Sequence, residues 1–248
     1  MRLIQSLIFS TVFSEGIAMD KKSQVNLMLI ASGSGTDAFA IMDAWQKGWI
    51  PEVSNIILVS TRAGAKCLEK AAICDVKAVT LVPPSIPFAN GQDESVYREA
   101  INSLAREYEI DLVFLVGCVI VLPLLGIPMY NIHPADPNLH GGNKMYGLRV
   151  HEHVLAAIVD EIERWKKSIN ETIFTHPTVH EVTAMPDGGP PLLQGSVEIP
   201  QELVLDVLEK KHSLQSAAEW LQKLVLPYEW IMLPTAVRMA AAKILAAR

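Results

Sequence analysis

The chain has 248 residues, of which 50% are hydrophobic and 19% are charged. This length and composition allow a sizeable buried core and exclude a disordered tail. The 27 acidic residues outnumber the 21 basic ones, giving a formal net charge of −6, which argues against a nucleic-acid binder with a broad basic face. The three cysteines (Cys67, Cys74, Cys118) form no CxxC pair, which indicates a reducing compartment and excludes a disulfide-framed scaffold.

The N-terminal residues 1–22 raise the question of a targeting segment. An apolar patch at Leu3–Phe13 resembles a weak signal peptide, but no convincing small-residue cleavage site follows it. We interpret 1–22 as an N-terminal extension, either disordered or the product of an over-extended start, with Met19 beginning the working protein. Residues 23–248 are expected to form a single α/β domain in the cytoplasm.

A second apolar stretch, Leu112–Tyr130, is nearly as long as a membrane-spanning helix. Two glycines and two prolines (Gly117, Pro123, Gly126, Pro128) divide it into short pieces. This punctuation favours a buried parallel strand followed by a turn. We therefore expect no membrane partner.

Strand-like and helix-like segments alternate along the first half of the chain. Apolar runs predict strands at Val25–Ala31, Ile56–Ser60, Val76–Val82, Asp111–Val116 and Met129–Ile132, with helices at Ala38–Lys47, Gly64–Ile73 and Asp93–Tyr108 between them. This order predicts an α/β fold with a doubly wound, mostly parallel sheet flanked by helices. Such sheets bind ligands at the carboxyl ends of their strands.

The second half of the chain has fewer strand signals. We predict helices at Val150–Ser168, Gln201–Lys211, Leu214–Leu226 and Ala236–Ala247, and strands at Val179–Thr183 and Leu192–Ile199. A cluster of proline, glycine and aspartate at 186–191 predicts a loop between the two strands.

A glycine-rich loop, Gly33–Thr36, lies between the first predicted strand and helix. Backbone amides at a helix N-terminus, with glycines that allow close approach, suit a phosphate. The loop has neither the lysine of a Walker A motif nor the third glycine of a dinucleotide fingerprint. A simple tight turn from strand to helix is the alternative interpretation.

Polar residues also follow the fifth predicted strand. Alternation places Asn131 and His133 on the same side of the chain, where an imidazole beside an amide donor can polarise a carbonyl group. Asp187, in the predicted loop, carries a carboxylate that could orient a histidine. A core histidine and an ordinary Asp-Gly turn are the alternatives. We expect no metal site, because His151 and His153 point about 200° apart on one helix and no i, i+4 ligand pair exists there.

The order of three motifs is more specific than any of them alone. A Ser-Gly-Ser-Gly-Thr loop at 32–36, Asn-Ile-His-Pro at 131–134 and Val-His-Glu-Val-Thr-Ala-Met-Pro-Asp-Gly-Gly-Pro at 179–190 resemble the phosphoribosylglycinamide formyltransferase family. The resemblance runs from about Val25 to Pro234. It implies a formyltransferase-like Rossmann-type fold and an enzyme that uses 10-formyltetrahydrofolate as a co-substrate, without a metal. The implied reaction is formyl transfer to the amine of 5-phosphoribosylglycinamide in de novo purine biosynthesis.

The resemblance also assigns site residues. It implies catalytic roles for Asn131, His133 and Asp187, with Asp187 keeping His133 protonated and raising its pKa. It places the acceptor's ribose phosphate at Gly35, Thr36 and Asp37 and its ribose at Glu229. The implied folate pocket is lined by Val119, Ile120, Val121, Leu122, Thr183, Ala184, Met185 and Pro186.

Several positions depart from the family pattern. Asp37 stands where the family usually has asparagine, which places a carboxylate near the expected phosphate. Ile120 and the neighbourhood of Glu94 lack the family's arginines, and Arg149 replaces a histidine. Insertions lie around 140–146 and 162–176. These departures affect the identity of the two substrates more than the catalytic residues Asn131, His133 and Asp187.

Other functions remain open alternatives. A formyltransferase of the same superfamily could act on another amine, such as a sugar nucleotide. Formylation of methionyl-tRNA needs a further domain and a basic balance that the sequence lacks, and hydrolysis of formyltetrahydrofolate needs a regulatory domain. A non-catalytic folate or nucleotide sensor would have no need of the paired Asp187 and His133. The expected partners are therefore small molecules, not nucleic acid, and a homodimer is compatible with the resemblance.

Overall fold

The computed structural model describes residues 23–85, 88–118, 126–165 and 171–248. The N-terminal extension 1–22 therefore lies outside the described residues. The strands are β1 (Val25–Ala31), β2 (Val53–Ser60), β3 (Lys77–Thr80), β4 (Leu112–Leu115), β5 (Met129–His133), β6 (Ile173–Thr175), β7 (Thr178–Glu181), β8 (Pro191–Gln194) and β9 (Val197–Ile199). The helices are α1 (Thr36–Gln46), α2 (Lys66–Ile73), α3 (Gly91–Glu107), α4 (Pro137–His140), α5 (Leu148–Trp165), α6 (Gln201–Leu208) and α7 (Leu214–Ala246).

Seven strands form one sheet in the order β3-β2-β1-β4-β5-β7-β8. The first five strands of that order pair in parallel, and β7 and β8 add antiparallel pairs at one side. The chain leaves β1 towards β2 and β3, then crosses back to β4 and β5. The predicted α/β fold with a doubly wound, mostly parallel sheet is confirmed, and its switch point lies between β1 and β4.

Helices cover both faces of the sheet because the central strands are apolar on both sides. In β1, Leu27 and Leu29 point into one core together with residues of α1, α2 and α7. Met28 and Ile30 point into a second core against α3. All four side chains are at most 3% exposed, as expected for a parallel strand buried on two sides.

The second half of the chain differs from its prediction in two places. The predicted strand Leu192–Ile199 is two strands: β8 joins the large sheet, and β9 pairs with β6 in a separate two-stranded sheet. Strand β6 lies within the segment interpreted only as an insertion. The buried Val197 and Ile199 of β9 pack with α5, α6 and α7 in a third core, which explains why the chain changes sheets there.

The prediction of separate helices at Leu214–Leu226 and Ala236–Ala247 is wrong, because α7 continues through Pro227 and Pro234. A proline removes one helical hydrogen bond and crowds the carbonyl four residues earlier. Both crowded carbonyls belong to exposed residues, Lys223 and Trp230. The buried stripes on either side of the prolines pack into two different cores, which holds the helix together. No helix in the described ranges is long and apolar enough to cross a membrane.

Candidate active site

The predicted catalytic residues on β5 and the glycine-rich loop Gly33–Thr36 lie at the same edge of the sheet. Strand β5 carries Asn131 and His133 towards its carboxyl end, and β1 leads at its own carboxyl end into the loop before α1. Only β4 separates β1 from β5. Because neighbouring strands lie about 4.8 Å apart, the two strand ends are roughly 10 Å apart, a spacing that suits two ends of a small-molecule site.

His133 and Asp187 come together as the sequence predicts. The His133 Nδ1 atom lies 3.8 Å from Asp187 Oδ2, beyond hydrogen-bond distance but close enough for an ion pair when the imidazole is protonated. Both side chains are largely buried, with 3% and 10% of their surfaces exposed. The opposite ring nitrogen, Nε2, lies 3.1 Å from the carbonyl oxygen of His140.

His180 is a member of this cluster that the sequence interpretation did not single out. It pairs with Asn131 in the β5–β7 register, and Asn131 Nδ2 lies 3.4 Å from His180 Nε2. The same Nε2 lies 3.6 Å from Asp187 Oδ1, so His180 connects Asn131 to Asp187. The available signal was the alternation of the strand at 179–183, which places His180 on a buried face.

The hydrogen bonds to carbonyl groups decide which ring nitrogens carry protons. A carbonyl oxygen only accepts, so His133 Nε2 donates to His140 and His180 Nδ1 donates to the carbonyl of Glu181, 3.0 Å away. The second nitrogen of each neutral ring then presents a lone pair towards the Asp187 carboxylate.

The pKa of His133 corrects one expectation. The Asp187 carboxylate does act to raise this pKa, but burial acts more strongly in the opposite direction and leaves it below its usual value. His133 is therefore a neutral imidazole in the resting site near neutral pH. It is prepared to accept a proton rather than to hold one permanently.

Asp187 is held by the loop that the sequence marked as an insertion around 140–146. The Gly142 backbone N–H donates to Asp187 Oδ2 at 2.9 Å, and the His140 carbonyl accepts from His133. Asp187 adopts a positive φ of 54°, a conformation that aspartate tolerates better than most residues. The insertion thus contributes backbone hydrogen bonds to Asp187 and His133 instead of lying apart from them.

The glycine-rich loop Gly33–Thr36, here called the acceptor loop because the resemblance places the acceptor's phosphate there, has the geometry of an anion site. Gly35 precedes α1 with φ +67°, and the first N–H groups of the helix have no intrahelical acceptor. The Lys70 ammonium group donates to the Ser34 carbonyl at 2.7 Å, which brings a positive charge to the loop. Thr36 borders a groove of about 740 Å³ between α1 and α7 that Trp230 also lines, so the loop is open to a ligand.

Asp37 and Glu229 lie close enough to influence each other's charge. Burial raises the pKa of Asp37 to about 6, and the Trp230 side chain partly offsets that rise. Burial and the Asp37 charge together hold the pKa of Glu229 well above its usual value. Glu229 is 5% exposed. The two residues therefore form a carboxyl pair next to the acceptor loop.

Only part of the predicted folate pocket lies within the described residues. Val119, Ile120, Val121 and Leu122 lie outside the described residues. The loop 183–186 is described: its Thr183 hydroxyl donates to the Met185 carbonyl at 3.0 Å, and the Met185 side chain is 69% exposed. This loop presents an apolar surface beside the centre that Asp187 completes.

Two other positions that depart from the family pattern, Glu94 and Arg149, make local side-chain contacts. Glu94 pairs with Arg98 at 2.6 Å on α3, and the Arg149 guanidinium lies 5.8 Å from the ring centre of Tyr146 on the surface. Within the described ranges, no group of three or more histidine, cysteine or acidic side chains is arranged to hold a metal ion.

The sheet order defines a doubly wound α/β protein, and the buried polar cluster at the end of β5 is its candidate small-molecule site. The chain belongs to the formyl transferase family, whose sequence profile, described as "Formyl transferase", matches residues 25–224.

Individual relatives agree with this assignment at modest identity. The chain is 30% identical over 119 residues to the chloroplastic phosphoribosylglycinamide formyltransferase of Arabidopsis thaliana, an alignment that covers 44% of this chain and 36% of the relative. It is 27% identical over 203 residues to the chloroplastic enzyme of that name from Vigna unguiculata, covering 76% of this chain and 57% of the relative. The chain thus spans less than two thirds of the length of these two relatives.

Solved structures share the fold. The crystal structure of glycinamide ribonucleotide transformylase 1 from Symbiobacterium toebii aligns with a TM-score of 0.63 at 24% identity. The alignment covers 89% of each chain. The architecture therefore extends over most of the described chain, beyond the motifs themselves.

Proposed function

We propose that this chain transfers the formyl group of 10-formyltetrahydrofolate to the amine of 5-phosphoribosylglycinamide, a step of purine biosynthesis. The observation that carries the proposal is the buried cluster of Asn131, His180, Asp187 and His133 at the strand ends, next to an open anion loop. The names of the two plant relatives support the same reaction.

In the proposed reaction the acceptor's amine attacks the formyl carbon, and the formyl oxygen becomes an oxyanion. Asn131 has two amide N–H groups, and the contact with His180 uses only one of them. The other is free to donate to the oxyanion. A donor of this kind in a buried site lowers the barrier by roughly 3 kcal/mol.

The proton then has to move from the attacking nitrogen to the leaving folate nitrogen. His133 is neutral in the resting site because burial lowers its pKa. Its Nε2–H donates to the His140 carbonyl, so Nδ1 is the atom that can take the proton from the amine. The Asp187 carboxylate 3.8 Å away stabilises the imidazolium that forms. The new carbon–nitrogen bond forms, the bond to the folate nitrogen breaks, and the proton passes to that nitrogen, which leaves His133 neutral again.

The proposed binding roles follow from the two strand ends. Gly35, Thr36 and Asp37 hold the acceptor's phosphate, and Glu229 holds its ribose. The folate lies against Val119–Leu122 and the loop 183–186. The proposal includes a cytoplasmic location, supported by three free cysteines in the described residues, action of residues 23–248 as one domain, and a homodimer as a compatible assembly.

The test is formyl transfer by the purified chain supplied with both substrates, followed through the release of tetrahydrofolate. Asp187→Ala is the inactive control, and Asp160→Ala, on the exposed end of α5, is the matched surface control. Turnover that disappears only in Asp187→Ala supports the proposal. Absence of turnover with 5-phosphoribosylglycinamide, while a sugar-nucleotide amine is formylated, would replace the acceptor.

A further inference from the structure

The Asp37–Glu229 pair is chemically unusual at the place where a phosphate is expected. Asp37 Oδ1 is buried and has no hydrogen-bond partner. The Glu229 side chain is 95% buried, with 5% of its surface exposed, and no group in the described part of the chain is hydrogen-bonded to its carboxyl. Trp230 is hydrogen-bonded to the Asp37 carboxyl, but the unpartnered Asp37 Oδ1 and the Glu229 carboxyl, next to helical N–H groups, indicate that a ligand completes the site.

A phosphate monoester would meet opposing influences in this site. The N-terminus of α1 and the positive φ of Gly35 aim N–H groups at an anion. An ionised Asp37 in the first turn of the same helix would repel that anion. A neutral Asp37 removes the repulsion and supplies an O–H donor for a phosphate oxygen instead.

This inference rests on the proposed function, because it takes a ribose phosphate as the ligand of the loop. We propose that the acceptor site takes up one proton when a phosphate monoester binds, and that Asp37 is the group that receives it. Asp37 is thereby a specificity-determining residue: it links the affinity for phosphorylated acceptors to pH, which an asparagine at this position would not do.

Among the described residues, the Trp230 side chain is the one group whose contact favours the ionised form of Asp37. From α7 it faces Glu229, which is acidic, and Trp230. Arg238, further along α7, is engaged by both carboxylate oxygens of Glu52.

The ammonium groups of two lysines, one on α2 and one at the end of α1, are also occupied. Lys70 of α2 donates to the Ser34 carbonyl, and Asp43, further along α1, pairs with Lys47 at 2.7 Å. Burial already brings the pKa of Asp37 to about 6, so protonation weakens binding only about tenfold at pH 7 and by a further factor of about ten for each higher pH unit.

Calorimetry with ribose 5-phosphate tests the proposal without requiring turnover. Titrations at pH 7.5 in two buffers of different ionisation enthalpy report how many protons binding takes up. We expect about one proton for the wild-type chain and close to none for Asp37→Asn. The variant should bind about 30-fold more tightly at this pH, because it avoids the protonation that the wild type requires.

Two further measurements make the result specific. Ribose, which has no phosphate, should bind without proton uptake in either protein. Thermal unfolding of Asp37→Asn establishes that the variant is folded.

The outcomes separate this inference from the proposed function. Binding of ribose 5-phosphate to the wild type without proton uptake overturns the inference, as does equal pH dependence in Asp37→Asn. Failure of ribose 5-phosphate to bind either protein also overturns it. Proton uptake by the wild type alone, combined with no formyl transfer to 5-phosphoribosylglycinamide, would instead retain the subsite and reject the proposed acceptor.

Discussion

Asn131 and His180 face each other across the antiparallel pair of β5 and β7, with Asn131 Nδ2 3.4 Å from His180 Nε2. The His180 ring is itself anchored, because its Nδ1 donates to the Glu181 carbonyl. This contact fixes which way the Asn131 amide points and leaves one N–H for a ligand. His180 is therefore a positioning residue in the proposed mechanism, and Asn131 is the group that contacts the reacting oxygen.

A double-mutant cycle on kcat tests that division of roles. We expect Asn131→Ala to lower kcat by a factor of 10² to 10³, as for other removed oxyanion donors, with little change in KM. His180→Ala should lower kcat less, and its effect should shrink when Asn131 is already alanine. Effects on kcat that multiply independently in the double variant would contradict a role of His180 through Asn131.

Asp187→Asn is expected to change the pH dependence of the rate as well as its size. Removing the carboxylate removes an influence that raises the pKa of His133, while the burial that lowers this pKa remains. The active resting form is the neutral imidazole, so the acidic limb of the kcat/KM profile should move to lower pH. The plateau should fall by roughly 10² to 10⁴, because the imidazolium loses its stabilising charge.

The matched comparison for this experiment is Asp136→Asn. Asp136 also raises the pKa of His133, but more weakly than Asp187 does, and its carboxylate caps α4. Its variant should show a smaller movement of the acidic limb and a nearly unchanged plateau. An acidic limb that stays in place in Asp187→Asn would mean that Asp187 acts only by orienting the ring.

The sequence was sufficient for the parallel half of the fold because its signals are local. The apolar run of β1 and the periodic spacing of α3 each depend on a few consecutive residues, and the order of elements then determines the winding of the sheet. Asn131, His133 and Asp187 were found for the same reason, since each belongs to a short motif. The structure brings these three residues together through His180.

The sequence failed where long-range packing overrides local rules. Pro227 and Pro234 predict a break, yet two separate cores hold α7 as one helix. The partner of β9 is β6, which lies in a segment that the sequence analysis interprets only as an insertion. The pKa of His133 depends on how deeply β5 is buried, and the position of Asp187 alone predicts the opposite direction.

Gly35 offers a prediction about the acceptor loop. A Cβ atom at this position would lie 2.4 Å from Cys67 Cβ and 2.6 Å from Cys67 Cα, and the residue has φ +67°. Gly35→Ala should therefore lower the free energy of unfolding by roughly 2 kcal/mol or more and weaken ribose 5-phosphate binding. Denaturant unfolding and calorimetry measure the two effects.

Gly33→Ala is the control for that substitution, because a Cβ at Gly33 meets nothing within 4 Å. It lies in the same loop and changes the same atoms. We expect its stability to stay within about 0.5 kcal/mol of the wild type. Equal losses in both variants would show that the loop depends on glycine flexibility and not on the close approach to Cys67.

His151 links stability to pH. Its side chain is 1% exposed and its Nδ1 has no hydrogen-bond partner, and burial, followed by the influence of His133, lowers its pKa from 6.5 to about 4. Below pH 6.5 the unfolded chain protonates this imidazole, whereas the folded chain keeps it neutral down to about pH 4. Unfolding therefore binds a proton, and stability falls as the pH decreases through this window, by roughly 3 kcal/mol in total.

Denaturant unfolding of the wild type and His151→Phe from pH 8 to pH 4 measures this contribution. At pH 8 both side chains are neutral, so the difference there reports only the change in packing. Below pH 6.5 the wild type should lose stability faster than His151→Phe, by about 1.4 kcal/mol per pH unit at most. Curves that stay parallel down to pH 4 would show that His151 is protonated in the folded protein, in which case its unpartnered Nδ1 must have a partner in solution.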